Sequence, residues 1–510
     1  MYGRVVGVAV VGMHGRLLAV EAHIGRGLPS LSITGLPGST IQDARDRIRP
    51  AVERAGLQWP LRRIVVNLSP GNVRKEGPGL DLPLAACVLA ASGQAPRTRL
   101  DRYAFFGELS LEGSLVPTPG ALSVALAASR AGLEGVVVPP GNAAEAAMVD
   151  GLRVVPARTL ADVVGFLRGS WTPPEVPPAR GDQANPGSRV DFHEVRGQAV
   201  ARRALEVAAA GGHNVLLVGP PGAGKTMLAR RLATVLPSLT RPEALEVTQL
   251  RSVAGTLGSG EIAVGRPFRS PHHSISMSGL LGSGRGWFRP GEVSLAHHGV
   301  LFLDELTEFR RDALEGLRQP LEDGRIRITR ASGSVEYPAG FTLVAAANPC
   351  PCGFEGDPRG CACQANRIEA YRQRLSGPLL DRIDIRLTIQ RLTRRELLGE
   401  VPEEPSEAIR RRVEAARIRQ RVRCAGVGVP CNARLTGPAA RRLADLSSPA
   451  HDLLARAVET FELTGRGFDR ALKVARTIAD LDASERVSAE HVSEALGYRG
   501  PGDGGLACAG

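Results

Sequence analysis

Two β-like apolar runs, VVGVAVVG (Val5–Gly12) and LLAVEAHIG (Leu17–Gly25), open the chain and read as paired strands. TIQDARDRIRPAVERAG (Thr40–Gly56) has the apolar spacing of an amphipathic helix. RRIVVNLSP is a short buried strand, LDLPLAACVLAASG a buried helix, and YAFFGELSLEGSLVP a strand pair, after which helix and strand alternate to Arg168. This hairpin-rich, mixed order predicts an α+β domain over 1–169. A Pro- and Gly-rich polar stretch comes next and predicts a linker over 170–189. From Val190 the pattern changes. NVLLVG, GVLFLDE and FTLVAAAN are short apolar strands separated by helices, the pattern of a doubly wound parallel sheet over 190–391. From 392 to 500 the periodicity is helical, from RRELLGEV through SEAIRRRVEAARIRQRVR to SAEHVSEAL, and predicts a helical lid. The tail 501–510 reads as disordered. The chain is thus an α/β multidomain protein.

Composition adds three constraints. Aromatics are only 4% against 43% hydrophobic, so the cores are aliphatic. The net charge of +12 fits a polyanionic partner, and equally an arginine-biased solvated surface. Lysine occurs only at Lys75, Lys225 and Lys473, so each one needs a reason. No apolar run approaches the roughly 20 residues that span a bilayer, and the first residues lack a signal-peptide pattern. The expectation is a cytoplasmic protein with no membrane partner, in which clustered cysteines suggest a metal or catalysis before disulfides.

The chemistry concentrates in the second region. Gly219, Pro220, Pro221, Gly222, Ala223, Gly224, Lys225 and Thr226 form a phosphate-binding loop between a strand and a helix. Its backbone N–H groups cradle ATP phosphates, Lys225 reaches the β- and γ-phosphates, and the Thr226 hydroxyl sits on Mg²⁺. GVLFLDE ends in two carboxylates: Asp304 orients the Mg²⁺ shell and Glu305 polarises the attacking water. Asn348 ends the next apolar strand, where an amide can hold that water against the γ-phosphate. Directly after it stand Cys350, Cys352, Cys361 and Cys363, two C-x-C pairs. Four thiolates complete a tetrahedral structural Zn²⁺ shell; reduced reactive thiols and disulfides are the alternatives.

GPPGAGKT, PFRSPHHSIS, PGEVSLAHHGVLFLDELTEF, NPCPCG and RLSGPLLDRIDI together resemble the ComM/YifB family of magnesium-chelatase-like AAA+ ATPases. The resemblance spans nearly the whole chain. It implies a homo-hexamer with nucleotide between subunits, Arg382 as the finger reaching the neighbour's γ-phosphate, and Arg466 as the lid sensor for ATP, with Arg470 and Arg476 on the same segment. Gly324–Phe341 resembles a hairpin that points into the ring channel, where Arg325, Arg327 and Arg330 would touch a DNA backbone; PFRSPHHS would form a second channel loop. His272, His273, His297 and His298 have no carboxylate or Cys at ligand spacing beside them, which with the family pattern makes them structural or DNA-facing. The first domain resembles the S5-like fold of Lon-type proteases, but Gly79 stands where the nucleophilic serine would be and no lysine occurs in PTPGALSVALAASR. It is therefore expected to be non-catalytic, binding a partner protein or organising the ring. The implied function is a DNA motor acting on single-stranded or branched DNA in recombination. The alternatives are a chelatase-type protein-remodelling ATPase and an ATP-gated regulatory protein.

Overall fold

The computed structural model describes residues 1–499 apart from 36, 37, 72, 74, 76, 177–179, 182–189, 259, 284–287, 331, 332, 376, 395 and 397–402. The predicted tail 501–510, the hairpin tip at 331 and 332, and most of the RRELLGEV helix and of the linker lie outside these residues. Within the predicted linker, Arg180–Gly181 runs parallel to Glu261–Ile262.

The first 169 residues build one mixed seven-stranded sheet. Strands β1 (Tyr2–Val11) and β2 (His14–Gly25) pair antiparallel from Val11↔His14 to Tyr2↔His23. Next come β3 (Ser30–Thr34), α1 (Gly38–Arg54), β4 (Arg63–Ser69), α2 (Asp81–Ala91), β5 (Tyr103–Phe105), α3 (Ala121–Arg130), β6 (Gly135–Val138), β7 (Arg153–Pro156) and α4 (Leu160–Arg168). The strand order is β3-β4-β2-β1-β5-β6-β7. The β1–β2 and β2–β4 pairs are antiparallel, whereas β1–β5, β5–β6 and β6–β7 are parallel. All of α2 is buried, which explains its lack of any polar face.

The second region comprises α5 (Ala199–Gly211), β8 (Val215–Val218), α6 (Lys225–Val235), α7 (Arg241–Ala254), β9 (Phe268–Arg269), β10 (Val300–Leu303), the antiparallel hairpin β11 (Arg325–Arg330) and β12 (Gly333–Pro338), β13 (Thr342–Ala347) and β14 (Ile385–Thr388). Five of these strands form an all-parallel sheet in the order β9-β10-β13-β8-β14. This order sets β13 between the strand carrying the glycine loop and the strand carrying the acid pair.

Helices α8 (Ser406–Cys424), α9 (Gly437–Leu443), α10 (Ser448–Thr460), α11 (Gly465–Leu481) and α12 (Ala489–Gly497) share one hydrophobic core with α5, α6 and the sheet. A buried polar network fixes this packing. Asp480, 0% exposed, accepts hydrogen bonds from Arg423, Arg476 and Asn432, and Thr477 links that group through His213 to Asp384 at the start of β14. The first domain is docked rather than merely tethered. Met13, in the β1–β2 turn, joins the core containing Ile326, Ile328, Val335 and Tyr337 of the β11–β12 hairpin. Its carbonyl accepts from Ser123 of α3 at 2.7 Å and from Gln249 of α7 at 2.5 Å. Among the described residues no helix is long and apolar enough to cross a membrane.

Candidate nucleotide site and cysteine cluster

The glycine loop is set by two tight approaches. A Cβ at Gly219 would lie 2.3 Å from the carbonyl oxygen of Ile389, so only glycine lets the chain leave β8 here. Gly224, at φ +89°, turns the backbone into α6, a left-handed conformation that glycine adopts without strain. The N-terminus of α6 then faces the loop.

The strand order converges the predicted groups. Lys225 Nζ donates to the carbonyls of Gly219 at 2.5 Å and Pro220 at 3.1 Å and to Asn348 Oδ1 at 3.1 Å. Burial pulls the ammonium below its usual range, opposed by the charges of Asp304 and Glu305. The Thr226 hydroxyl donates to Asp304 Oδ2 at 2.7 Å. Their separation is close to the edge of about 2.9 Å between neighbouring ligands on a Mg²⁺ octahedron with bonds of ~2.05 Å, so the donor set fits that ion with little adjustment. Glu305, at φ +52°, turns out of β10 and lines the same pocket of about 430 Å³ as the glycine loop, Asp304 and Asn348.

Arg382 and Arg466 stand elsewhere. They line a second cleft with Asp381, Arg470 and Lys473 that shares no residue with the first. Arg382 pairs with Glu322, and its carbonyl accepts from Asn214 at 2.8 Å. Arg466 is exposed, 3.9 Å from Asp381, and the structure does not bring it to the glycine loop of its own chain. The two other arginines on α11 are committed internally: Arg470 donates to the carbonyls of Leu380 and Ile383, and buried Arg476 to those of Ala444, Ser484 and Glu485 and to Asp480.

The hairpin arginines divide. Arg325 and Arg327 share one face and both pair with Glu336, at 3.3 and 3.2 Å, while Ile326 and Ile328 are buried on the other. Strand periodicity puts Arg330 on the second face, so the three do not form a single row.

The four cysteines converge. Sγ separations are 3.4 Å for Cys350–Cys352, 3.6 Å for Cys350–Cys361 and 3.5 Å for Cys352–Cys361, and Cys363 completes a group within 4.8 Å. All four are free thiols, not disulfides. A Zn²⁺ tetrahedron with ~2.3 Å bonds has an edge of about 3.8 Å, so the set fits zinc with little adjustment. The Phe354 backbone N–H pulls the Cys352 thiol down to about 6, giving a thiolate at neutral pH, while Cys361 and Cys363 move up.

This loop also touches the glycine loop. A Cβ at Gly353 would lie 2.6 Å from Pro221 Cδ. Arg391 donates to the Pro221 carbonyl at 2.8 Å and pairs at 2.9 Å with Asp357, whose side chain is buried. No sequence signal singled out Arg391, whose partners lie 34 and 170 residues away.

Two expectations about histidines need correction. A carboxylate does sit beside His297 and His298: Glu246, from α7, lies 3.0 Å from His297 Nε2 and 2.7 Å from His298 Nε2. It was invisible because it lies 51 residues upstream of His297. The trio still does not suit a metal. His297 Nδ1 accepts from the Gly340 N–H at 2.9 Å, so the proton of the neutral ring is on Nε2, where a metal would bind. His273 is likewise not a bystander: its Nδ1 is 3.1 Å from Glu305 Oε2.

In the first domain, a Cβ at Gly79 would lie 2.2 Å from the Phe106 ring, so a serine there has no room. Ser123 of α3, in the segment that lacks a lysine, is spent on the Met13 carbonyl.

Comparison with known proteins places the chain in a family. Residues 191–397 match the family described as magnesium chelatase, subunit ChlI; residues 20–142 match subunit ChlI of Mg-chelatase, and 403–499 its C-terminal part. The chain is 42% identical over 494 residues to the uncharacterised protein YifB of Escherichia coli, covering 96% of each. It is 40% identical over 496 residues to competence protein ComM of Haemophilus influenzae, again covering 96% of each. The chain belongs to the ComM/YifB family of magnesium-chelatase-like proteins. It is also 31% identical over 174 residues to the Lon protease of Mycolicibacterium smegmatis, 22% of that enzyme's length. The family fits an AAA+ nucleotide site and gives the five-stranded parallel sheet its place.

Proposed function

We propose that the chain is a Mg²⁺-dependent ATPase, acting as a homo-hexameric motor on single-stranded or branched DNA during recombination, as in the integration of transforming DNA. The observation that carries the reading is the convergence of Lys225, Thr226, Asp304, Glu305 and Asn348 in one pocket. Lys225 and the loop N–H groups hold the phosphates. Thr226 and Asp304 hold the Mg²⁺, which when bound neutralises charge on the phosphate oxygens. Asn348 and Glu305 orient and polarise the water. Adjacent acids at the strand end favour hydrolysis over nucleotide-gated regulation.

The ring is supported by the place of Arg382. The length of β8, a four-residue strand of ~13 Å, separates it from the glycine loop. Asn214, which holds the Arg382 backbone, precedes β8, and the glycine loop follows it. Arg382 is therefore out of reach of its own nucleotide, and in this reading a second copy brings its Arg382 and Arg466 to this pocket. DNA as the substrate is supported by the +12 charge, and a competence-related role by the similarity to competence protein ComM. Arg325 and Arg327 would exchange Glu336 for phosphates, a step that makes binding strongly salt-dependent. Zinc on the four cysteines is structural in this reading. The first domain, docked on the hairpin through Met13, organises the ring or holds a partner protein.

The test is steady-state ATPase with and without forked DNA, beside Glu305→Gln. DNA should stimulate hydrolysis and the variant should bind ATP without turning it over. Absence of stimulation by any DNA sinks the motor reading and favours chelatase-type remodelling of a protein, the second reading that the family match supports. Hydrolysis by Glu305→Gln sinks the base assignment.

A further inference from the structure

We propose that the open face of the first domain's sheet is a platform for single-stranded nucleic acid, on which Tyr2 and His23 stack against bases while Arg4 and Arg63 hold phosphates. The inference deepens the DNA reading above and rests on it.

The face follows from the two-residue period of β1, β2, β3 and β4. Alternate residues, among them Val5, Val20, Ala22, Ile24, Ile64 and Val66, turn into the core. Their neighbours point the other way. On that side α3 covers only one end of the sheet. It packs on Val8, Val10 and Leu17 and closes on Gly15, where a Cβ would lie 2.5 Å from the Ser123 carbonyl oxygen. Beyond α3 the sheet is open, and Tyr2, Arg4, His23, Ser32, Arg63 and Asn67 are exposed.

The register sets these residues in rows. Tyr2 stands opposite His23, His23 opposite Val65, and Val65 opposite Ser32. Arg4, Glu21, Asn67 and Thr34 form the row on one side, and Gly25, Arg63 and Ser30 the row on the other. Directly opposed side chains are about 5 Å apart, so two rings lie side by side with a guanidinium group to either side of them. The Tyr2 hydroxyl donates to Glu21 Oε1 at 2.8 Å, which steadies the ring.

Charge and chemistry select the occupant. Among the described residues Glu21 is the only carboxylate in these rows. Arg4 and Arg63, with Arg26 and Arg62 at the margin, form no ion pair. Cations without partners suit a polyanion. A protein interface would centre on buried apolar side chains. Here Val65 is the one large aliphatic residue in the rows, and the exposed Leu28 and Leu61 stand at the margin. Rings beside guanidinium groups on a flat sheet match unpaired bases and their phosphates, whose π-faces a duplex hides.

The platform is separate from the β11–β12 hairpin. The turn beside His14 docks on that hairpin, whereas His23 lies ~30 Å further along β2. Each chain thereby offers the strand a second foothold, distinct from Arg325 and Arg327.

The experiment titrates four full-length proteins with fluorescent oligodeoxythymidine over a range of salt: wild type, Tyr2→Ala, the double variant Arg4→Gln with Arg63→Gln, and the hairpin double variant Arg325→Gln with Arg327→Gln. Tyr2→Ala should weaken binding about five- to thirtyfold, the lower part of the range for one base on one aromatic ring. It should leave the affinity for a blunt duplex of the same length unchanged. Removing Arg4 and Arg63 should cut the slope of log K against log salt by about 1.4, at ~0.7 for each phosphate contact to a single strand. Both variants should melt like wild type, because these side chains are exposed. Poly-glutamate at equal charge should compete poorly, since it brings no bases to stack. Unchanged affinity and salt slope in both variants, with wild type binding the strand, overturn the platform. Competition by poly-glutamate as strong as that by unlabelled oligonucleotide also overturns it, and assigns the face to an acidic protein. Failure of the underlying DNA reading looks different: wild type and the hairpin variant alike would leave the oligonucleotide unbound at every salt concentration.

Discussion

The contact between the cysteine loop and the glycine loop can be isolated with two alanines. Gly353 and Gly356 lie in the same loop, at φ +83° and +76°. An alanine at either costs about 1–2 kcal/mol in backbone strain. Only Gly353 faces a neighbour: its Cβ would lie 2.6 Å from Pro221 Cδ and 2.9 Å from Pro221 Cγ, whereas at Gly356 nothing lies within 4 Å. Overpacking of this kind costs about 1–3 kcal/mol. If it is relieved by pushing Pro221 outward, the cost falls on phosphate binding, and at ~1.4 kcal/mol per decade Kd for ATP rises by about five- to a hundredfold. Gly356→Ala should leave Kd within about twofold while losing similar loop stability. The assay is titration with a fluorescent ATP analogue, with zinc content measured on the same samples. Equal Kd values for the two variants, both retaining the same metal, would refute the claim that the cysteine loop braces the glycine loop.

Removing Asp480 strands buried Arg476 and half-buried Arg423, so Asp480→Ala should destabilise the lid by about 3–5 kcal/mol in urea unfolding; a loss below about 1 kcal/mol would mean that the network does not hold the lid. Elemental analysis of purified protein should find one zinc per chain, lost in Cys361→Ser; a folded, zinc-free wild type contradicts the cluster assignment. Hydrogen bonds from His297 and His298 hold the Glu246 carboxyl below its usual range, and burial holds His297 below the usual histidine value. Both groups then bind fewer protons folded than unfolded, so stability rises with pH. The His297 share is lost as pH falls below about 6.5 and the Glu246 share below about 4.5. Thermal melts of Glu246→Gln should show a flatter limb below about pH 4.5; an acid limb unchanged from wild type would contradict this.

What was legible in the sequence was what one strand or loop carries by itself. The glycine loop, Asp304–Glu305 and Asn348 are each read from a few consecutive residues after an apolar strand. The sheet order β10-β13-β8 then brings them together without further information. The cysteine spacing was equally local. The contacts that went unread join distant segments: Glu246 to His297 and His298, Arg391 to Pro221 and Asp357, Met13 to the hairpin, and His273 to Glu305. Nothing in a spacing pattern specifies such a partner, because helix and strand periods report only which face a residue is on. Arg330 differs. The alternation of IRITR already separated it from Arg325 and Arg327, and counting arginines hid that.

The two clefts bear on how a motor of this design would keep its subunits in step. Arg382 is not idle within one protomer. Its guanidinium pairs with Glu322 and its backbone is tied through Asn214, whose Oδ1 also accepts from the Leu343 N–H of β13 at 2.8 Å. Asn348 directly follows the same strand and contacts Lys225. One strand thus joins the segment that carries Arg382, the proposed finger for a neighbouring site, to Asn348, the amide proposed to read the chain's own γ-phosphate. Because β13 is buried along its whole length and clamped between β10 and β8, it cannot bend to absorb a shift at either end. In the proposed motor, a displacement of Asn348 on phosphate release would be passed along the strand to Asn214 and the Arg382 loop. In the proposed ring, the state of one nucleotide would reach the next site through six residues of sheet rather than through a flexible lid.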